Sequence, residues 1–132
     1  MIVVDSHAVL WWTGAVESAL SETASRRLAS EMDGGEIVVS TITTWEISML
    51  VSRGRLALRG DVEAWVRDVE SLSRVRFVPI DNRIAIEANR LPDEFHRDPA
   101  DRIIVATARV LGAEVLTADT KIREYPFVRT VW

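Results

Sequence analysis

The chain has 132 residues, of which 27% are charged and 48% are hydrophobic, and its formal net charge is −4. This length and composition are typical of one globular domain with a core of its own, and they exclude a disordered chain. The absence of cysteine excludes disulfides and thiolate metal sites, and the acidic balance excludes nucleic-acid binding by bulk positive charge. We therefore predict a single domain over residues 1–132.

The first half of the chain is predicted to contain two strands and four helices. The apolar run Ile2-Val3-Val4 shows no alternation, which fits a buried central strand. Ser21 is a suitable N-cap for the second helix, and Gly54 ends the third. In chain order we predict a strand at 2–4, helices at 6–12 and 21–32, a strand at 36–40, and helices at 44–53 and 61–72.

The second half is predicted to contain three strands and three helices. Pro92 stops one helix, and Gly112 closes the most apolar helix of the chain. In chain order we predict a strand at 75–80, helices at 81–91 and 99–111, a strand at 114–117, a short helix at 120–124 and a strand at 127–131.

Short apolar strands that alternate with helices predict an α/β fold. We expect a parallel sheet of about four to five strands, flanked on both faces by helices. No apolar run approaches the roughly 20 residues that cross a bilayer, and the first residues lack the basic segment of a signal peptide. We therefore expect a cytoplasmic protein without membrane contact.

Five carboxylates fall at the ends of predicted strands or near the starts of predicted helices. They are Asp5, Glu46, Asp98, Asp101 and Asp119. The carboxyl ends of parallel strands lie along one edge of the sheet, together with the N-termini of the connecting helices. We therefore expect the five side chains to converge at that edge, where oxygen ligands of this kind suit Mg²⁺ or Mn²⁺.

Each carboxylate also has a structural interpretation as a helix cap. Asp98 before Pro99 is a good N-cap, and Thr43 with Glu46 forms a capping-box pattern. Capping alone does not explain why carboxylates gather at one edge, since Ser, Thr or Asn would cap as well. The pattern as a whole therefore favours a metal site, and both roles are compatible at Asp98.

The same residues resemble the PIN-domain family, in particular the VapC-type toxins of bacterial toxin–antitoxin pairs. The similarity covers nearly the whole chain, in order and at suitable spacing. The matching stretches are Val4-Asp5-Ser6-His7 with Leu10-Trp11-Trp12, Ser40 with Trp45-Glu46-Ile47, His96-Arg97-Asp98-Pro99-Ala100-Asp101-Arg102-Ile103-Ile104, and Leu116-Thr117-Ala118-Asp119.

The resemblance implies a three-layer PIN-like domain with a magnesium-dependent endoribonuclease activity. By motif position, its acidic quartet corresponds to Asp5, Glu46, Asp101 and Asp119. Asp98 is then an additional acid, so that the implied metal ligands are Asp5, Asp98, Asp101 and Asp119. Thr117 matches a hydroxyl position near the metal, where it could contact water or substrate.

The resemblance also implies partners. The substrate is RNA, and single-stranded or looped RNA is favoured over a duplex because the cleaved strand must be reachable. A VapB-like antitoxin is expected to block the toxin, and the toxin itself is expected to form a homodimer.

Basic residues and tryptophans near the acids have more than one interpretation. Arg97 and Arg102 could hold phosphate or could form ion pairs with the acids. His7 and His96 could contact phosphate, although a structural role is more common for a lone histidine. Because a helix cannot bury two adjacent residues equally, one member of the pair Trp11–Trp12 is expected to face a partner or a loop. We predict that Trp45 is in the core and that Trp132 anchors the last strand.

Two other functions are alternatives to the ribonuclease. A non-catalytic PIN-fold module would act only through its partner, although the presence of all the acids argues against it. An aspartyl phosphotransfer enzyme would use Asp5 as nucleophile. For that class, His7 stands where a second aspartate is usual, and Lys121 is misplaced.

Overall fold

A five-stranded parallel sheet forms the centre of the computed structural model, which describes residues 1–132. Its strands are β1 (Ile2–Val4), β2 (Ile37–Ser40), β3 (Val75–Val78), β4 (Glu114–Leu116) and β5 (Thr130–Val131). Their spatial order is β3-β2-β1-β4-β5, and every neighbouring pair is parallel. The strand without alternation, β1, is therefore central, as predicted.

Seven helices connect or follow the strands. They are α1 (Ser6–Trp12), α2 (Glu22–Gly34), α3 (Thr41–Ser52), α4 (Val62–Glu70), α5 (Asn82–Ala88), α6 (Pro99–Leu111) and α7 (Thr120–Arg123). None of them combines the length and the apolar character that crossing a membrane requires.

Two hydrophobic clusters cover the two faces of the sheet. On one face, Val3 packs in a cluster with buried residues of α5, α6 and α7. On the other face, its neighbours Ile2 and Val4 pack in a cluster with buried residues of α1, α2 and α4. Successive β1 residues thus point to opposite faces, and both faces are buried, which is why β1 reads as a continuous apolar run. The predicted three-layer α/β fold is confirmed.

Helix α3 begins three residues earlier than predicted. Ser40 is both the last residue of β2 and the N-cap of α3, because its hydroxyl accepts a hydrogen bond from the Ile42 N–H at 3.3 Å. Thr43 therefore lies inside the first turn and is fully buried, with its hydroxyl accepting from Ser6 Oγ at 3.2 Å. The predicted capping box of Thr43 and Glu46 is wrong, and Glu46 lies in the second turn.

Several other element ends differ from prediction for local reasons. Strand β3 stops before Pro79, which has no N–H for the ladder. Helix α5 ends at Ala88, whose carbonyl accepts from Arg102 Nε at 3.0 Å instead of continuing the helix. Helix α2 runs on to Gly34. Strand β5 has only two residues, Thr130 and Val131, which pair with Val115 and Leu116 of β4.

The prediction that Trp45 is a core residue is wrong. Its side chain is 55% exposed on α3. The buried face of α3 is formed by Ile42, Thr43 and Ile47, and at 100° per residue Trp45 points away from that face.

Candidate active site

An acidic pocket of about 340 Å³ lies at the carboxyl edge of the sheet. Five of its lining residues are carboxylates, namely Asp5, Glu46, Asp98, Asp101 and Asp119. The rest of the lining consists of Ser6, His7, Trp11 and Ala118. The parallel topology produces this arrangement, because β1 and β4 end at this edge and α1, α3, α6 and α7 begin there.

Asp5 joins the ends of the two central strands. It is buried, and its Oδ1 caps α1 by accepting from the Ala8 N–H at 2.8 Å. Its Oδ2 accepts a hydrogen bond from the hydroxyl of Thr117, which is fully buried at the end of β4. Burial raises the pKa of Asp5, while the hydrogen bonds from Thr117 and Ala8 oppose that increase.

Asp119 and Glu46 are both half-buried, but only Asp119 is fixed by hydrogen bonds. The Asp119 N–H donates to Thr117 Oγ1 at 3.0 Å, and Asp119 Oδ1 caps α7 by accepting from the Lys121 N–H at 2.7 Å. Glu46 has no ion pair with a basic group, and the structure assigns its carboxylate no hydrogen bond. The Glu46 carboxylate is therefore available to a ligand in the pocket.

Asp98 and Asp101 open helix α6. Asp98 is exposed and is the N-cap, since its Oδ1 accepts from the Asp101 N–H at 3.1 Å. The predicted cap is confirmed. The Asp101 side chain is 21% exposed, and its Oδ2 lies 3.1 Å from Nε2 of His96. That contact lacks hydrogen-bond geometry, so the buried Nε2 of His96 has no hydrogen-bond partner.

Burial and the neighbouring carboxylates together raise the pKa of Asp101. The pKa of Asp101 is raised from 3.8 to about 7, first by burial and then by the charges of Asp98, Asp119, Glu46 and Asp5. Every other acid of the pocket contributes to this increase. Neighbouring carboxylates relieve such repulsion by taking up a proton or a cation.

The donor set of the pocket fits a hard divalent cation. All the acidic donors are oxygens, the type of ligand that suits Mg²⁺ and Mn²⁺. No three His, Asp or Glu side chains stand in an arrangement that could hold one ion directly. At most two of these side chains can therefore reach one ion directly, which is compatible with Mg²⁺ because Mg²⁺ commonly keeps several waters.

Arg97 and Arg102 lie outside the acidic pocket. The Arg102 guanidinium donates to main-chain carbonyls, at 2.9 Å to Phe95 and 3.2 Å to His96 in addition to Ala88. It therefore forms no ion pair with the acids. Arg97 is exposed and lines a separate cavity with Arg102.

Ser6 and Trp11 belong to the pocket although the sequence predicted no site role for either of them. Ser6 lies in the pocket, and its hydroxyl donates to Thr43 and so ties α1 to α3. Trp11 lines the pocket beside His7, with ring centroids 5.9 Å apart. The sequence does contain a signal for Trp11. Residues four apart on a helix share a face, so Trp11 lies on the same face as His7 of a helix that starts at the capping residue Asp5.

A larger cavity, of about 500 Å³, lies at the C-terminal end of α6. It contains one carboxylate, Glu87, which is paired with Arg109 at 2.7 Å. Size therefore does not single out the site, whereas the convergence of titratable groups with raised pKa values does.

The family model of the PIN domain matches residues 2–128. The chain belongs to the PIN domain family. It is also 34% identical to the "Ribonuclease VapC22" of Mycobacterium tuberculosis, over 99% of this chain and 98% of that protein. The resemblance to VapC-type PIN domains is thereby confirmed.

Solved structures of the same fold align over almost the whole chain. VapBC2 from Rickettsia felis, solved bound to a DNA fragment from its promoter, aligns with a TM-score of 0.68 at 16% identity, covering 98% of this chain and 97% of that chain. VapC20 of Mycobacterium tuberculosis, described as a sarcin-ricin loop cleaving toxin, aligns with a TM-score of 0.60 at 22% identity, covering 98% and 99%. At these identities the structures support the fold alone.

Proposed function

We propose that this PIN domain is a Mg²⁺- or Mn²⁺-dependent endoribonuclease that acts as the toxin of a VapBC-type toxin–antitoxin pair. The observation that carries the proposal is the convergence of five carboxylates, from four separate parts of the chain, in one pocket. The identity of the full-length relative, a ribonuclease by name, supports the same chemistry.

The residues of the pocket have different roles in the proposed hydrolysis of phosphodiester bonds. Asp5 and Asp101 would be the primary, direct metal ligands, and Asp98 and Asp119 would contact the ion through bound water. These residues would hold a divalent ion, which would supply a hydroxide at neutral pH and would stabilise charge on the leaving oxygen. Thr117 fixes the orientation of Asp5 through its hydrogen bond to Oδ2.

Glu46 is the residue that orients the attacking water. Its carboxylate has no partner within the chain, so it is free to accept a hydrogen bond from that water and then its proton. A general base of this kind contributes about 100-fold or more to the rate.

The substrate is RNA with an accessible strand. The pocket lies open at the edge of the sheet, and a single-stranded or looped segment reaches such a site without unwinding. The RNA that such an enzyme cleaves is cytoplasmic, so we place the protein in the cytoplasm.

The proposed regulation is by a VapB-like antitoxin, with the toxin as a homodimer. The solved neighbours support an antitoxin, because they include VapBC complexes from Rickettsia felis and Salmonella typhimurium and a toxin–antitoxin complex from Klebsiella pneumoniae. The homodimer is carried over from the family resemblance.

Cleavage of single-stranded RNA by the purified protein tests the proposal. We expect cleavage in Mg²⁺, none in EDTA, and losses of about 100-fold or more in Asp5→Asn and Glu46→Gln. Glu63→Gln, which changes an exposed acid of α4, serves as the matched control with full activity. Cleavage that persists in EDTA or in Asp5→Asn would refute the catalytic assignment, and phosphorylation of Asp5 by a small phosphodonor would favour phosphotransfer instead.

A further inference from the structure

Trp11 is the only large apolar side chain in the acidic pocket. Of the nine lining residues, Ala118 is the one other hydrophobic residue, and the rest are acidic or polar. Trp11 is half-buried rather than covered. The pocket therefore combines several carboxylates with an aromatic wall formed by Trp11 and the neighbouring His7 ring.

Packing on two sides fixes the Trp11 ring in place. The His7 ring lies 5.9 Å away and is tilted by 47°, and the Trp132 ring lies 5.6 Å away and is tilted by 54°. Such tilted aromatic pairs have favourable geometry. Because the ring is already ordered, a flat ligand that stacks on it does not have to immobilise it first.

The two parts of a nucleotide place opposite demands on this pocket. The phosphate is anionic, so the carboxylates repel it unless a cation lies between them. The base is uncharged and flat, and base–aromatic stacking is the common way in which proteins hold bases of single strands. Two side chains of the pocket offer such a surface, and the Trp11 indole is larger than the imidazole of His7 beside it.

We propose that Trp11 forms a nucleobase-binding subsite, on which the base of a nucleotide next to the cleaved bond stacks while its phosphate lies at the carboxylates. This inference rests on the proposed ribonuclease function and adds to it how the strand is positioned. Stacking accepts every base, so the subsite favours unpaired RNA over duplex without reading a sequence.

The neighbouring Trp12 provides a matched control. It belongs to the same helix, but it packs against the cluster on the α1, α2 and α4 face of the sheet and lines a different cavity. A change at Trp12 therefore alters the tryptophan content and the packing of α1 without altering the wall of the acidic pocket.

Binding of a short, fluorescently labelled single-stranded RNA tests the subsite. The protein carries Glu46→Gln and the buffer contains Mg²⁺, so that RNA is bound without being cleaved. The RNA is supplied intact and as a series in which each nucleotide in turn is abasic. We expect Trp11→Leu to weaken binding of the intact RNA by about tenfold, and Trp11→Phe to keep most of the affinity.

The decisive readout is the coupling between the side chain and one base. In the protein that keeps Trp11, removal of the base at one position should weaken RNA binding by about the same factor as Trp11→Leu does. In the Trp11→Leu protein, removal of that base should not weaken binding further. Trp12→Leu should leave this coupling intact, and thermal unfolding of each variant excludes global unfolding as the cause.

Three results would overturn the subsite. They are losses of affinity that are the same with and without Trp11→Leu at every abasic position, an unchanged affinity in Trp11→Leu, and a complete lack of RNA binding. The parallel assay of RNA cleavage by the unmodified protein in Mg²⁺ separates the two claims. Cleavage without coupling refutes the subsite alone, whereas binding with coupling but no cleavage refutes the ribonuclease alone.

Discussion

At the scale of single residues, Asp101 shows how burial and neighbouring acids raise the pKa of a carboxyl group in the pocket. Its carboxyl is mostly buried, and its pKa is about 7 because of that burial and of four neighbouring acids. In the unfolded chain the same group has its ordinary pKa of 3.8. Between these two pH values the folded protein binds more protons than the unfolded chain, so folding stability falls as pH rises.

This difference predicts that the metal-free protein loses stability between about pH 4 and pH 7. Asp101→Asn removes the titrating group, so we expect it to flatten that slope and to raise the melting temperature at pH 7.5 by about 3 °C or more. The measurement is thermal unfolding in EDTA across this pH range. Asp68→Asn, on the exposed surface of α4, is the control that should leave the slope unchanged. An identical slope in Asp101→Asn would show that the loss of stability does not come from Asp101.

The contacts of a residue can be predicted from the sequence when its partner is a few residues away, and cannot be predicted when the partner comes from a distant part of the chain. The Asp98 cap was predictable because the capping carboxylate and the N–H that donates to it are three residues apart. The contacts of Arg102 were not, because they depend on where the carbonyls of Phe95 and Ala88 lie after folding. The exposure of Trp45 was missed because an apolar side chain alone does not reveal which face of its helix is covered.

At the scale of elements, boundaries follow the strength of the capping signals. Helix α6 begins and ends as predicted, since Asp98-Pro99 marks its start and Gly112 its end. Helix α3 does not, because Ser40 serves both the strand and the helix, so no turn signal separates them. The Thr43–Glu46 pattern then pointed to a later start.

The two glycines at helix ends predict opposite effects of the same substitution. Gly112 ends α6 in the left-handed region at φ +67°, whereas Gly34 is helical, and neither has an atom within 4 Å of an added Cβ. We expect Gly112→Ala to destabilise the fold by about 1 kcal/mol, and Gly34→Ala to be neutral or to stabilise it by up to about 1 kcal/mol.

Urea denaturation of both variants measures these changes as shifts in the free energy of unfolding. Gly34→Ala controls for the added methyl group at a helix end. Equal effects of the two substitutions would show that backbone conformation at Gly112 does not limit the end of α6.

At the scale of the whole molecule, the parallel sheet determines the site. The central place of β1 was predictable from its lack of alternation, but the order β3-β2-β1-β4-β5 was not, since no short-range pattern specifies which strands become neighbours. The common direction of the strands places Asp5 and Asp119 at the same edge, and the pairing of β1 with β4 brings them close together there.

The proposed chemistry depends on the binding of a divalent cation in the acidic pocket. Anomalous diffraction from crystals of the protein grown with Mn²⁺ is the sharpest test, because the peak locates the ion without reference to activity. We expect a peak inside the pocket, with carboxylate oxygens of Asp5 and Asp101 at about 2.0–2.3 Å, and we expect Asp101→Asn to weaken or remove it. An ordered pocket without such a peak, or a peak bound only elsewhere, would refute cation binding at this site.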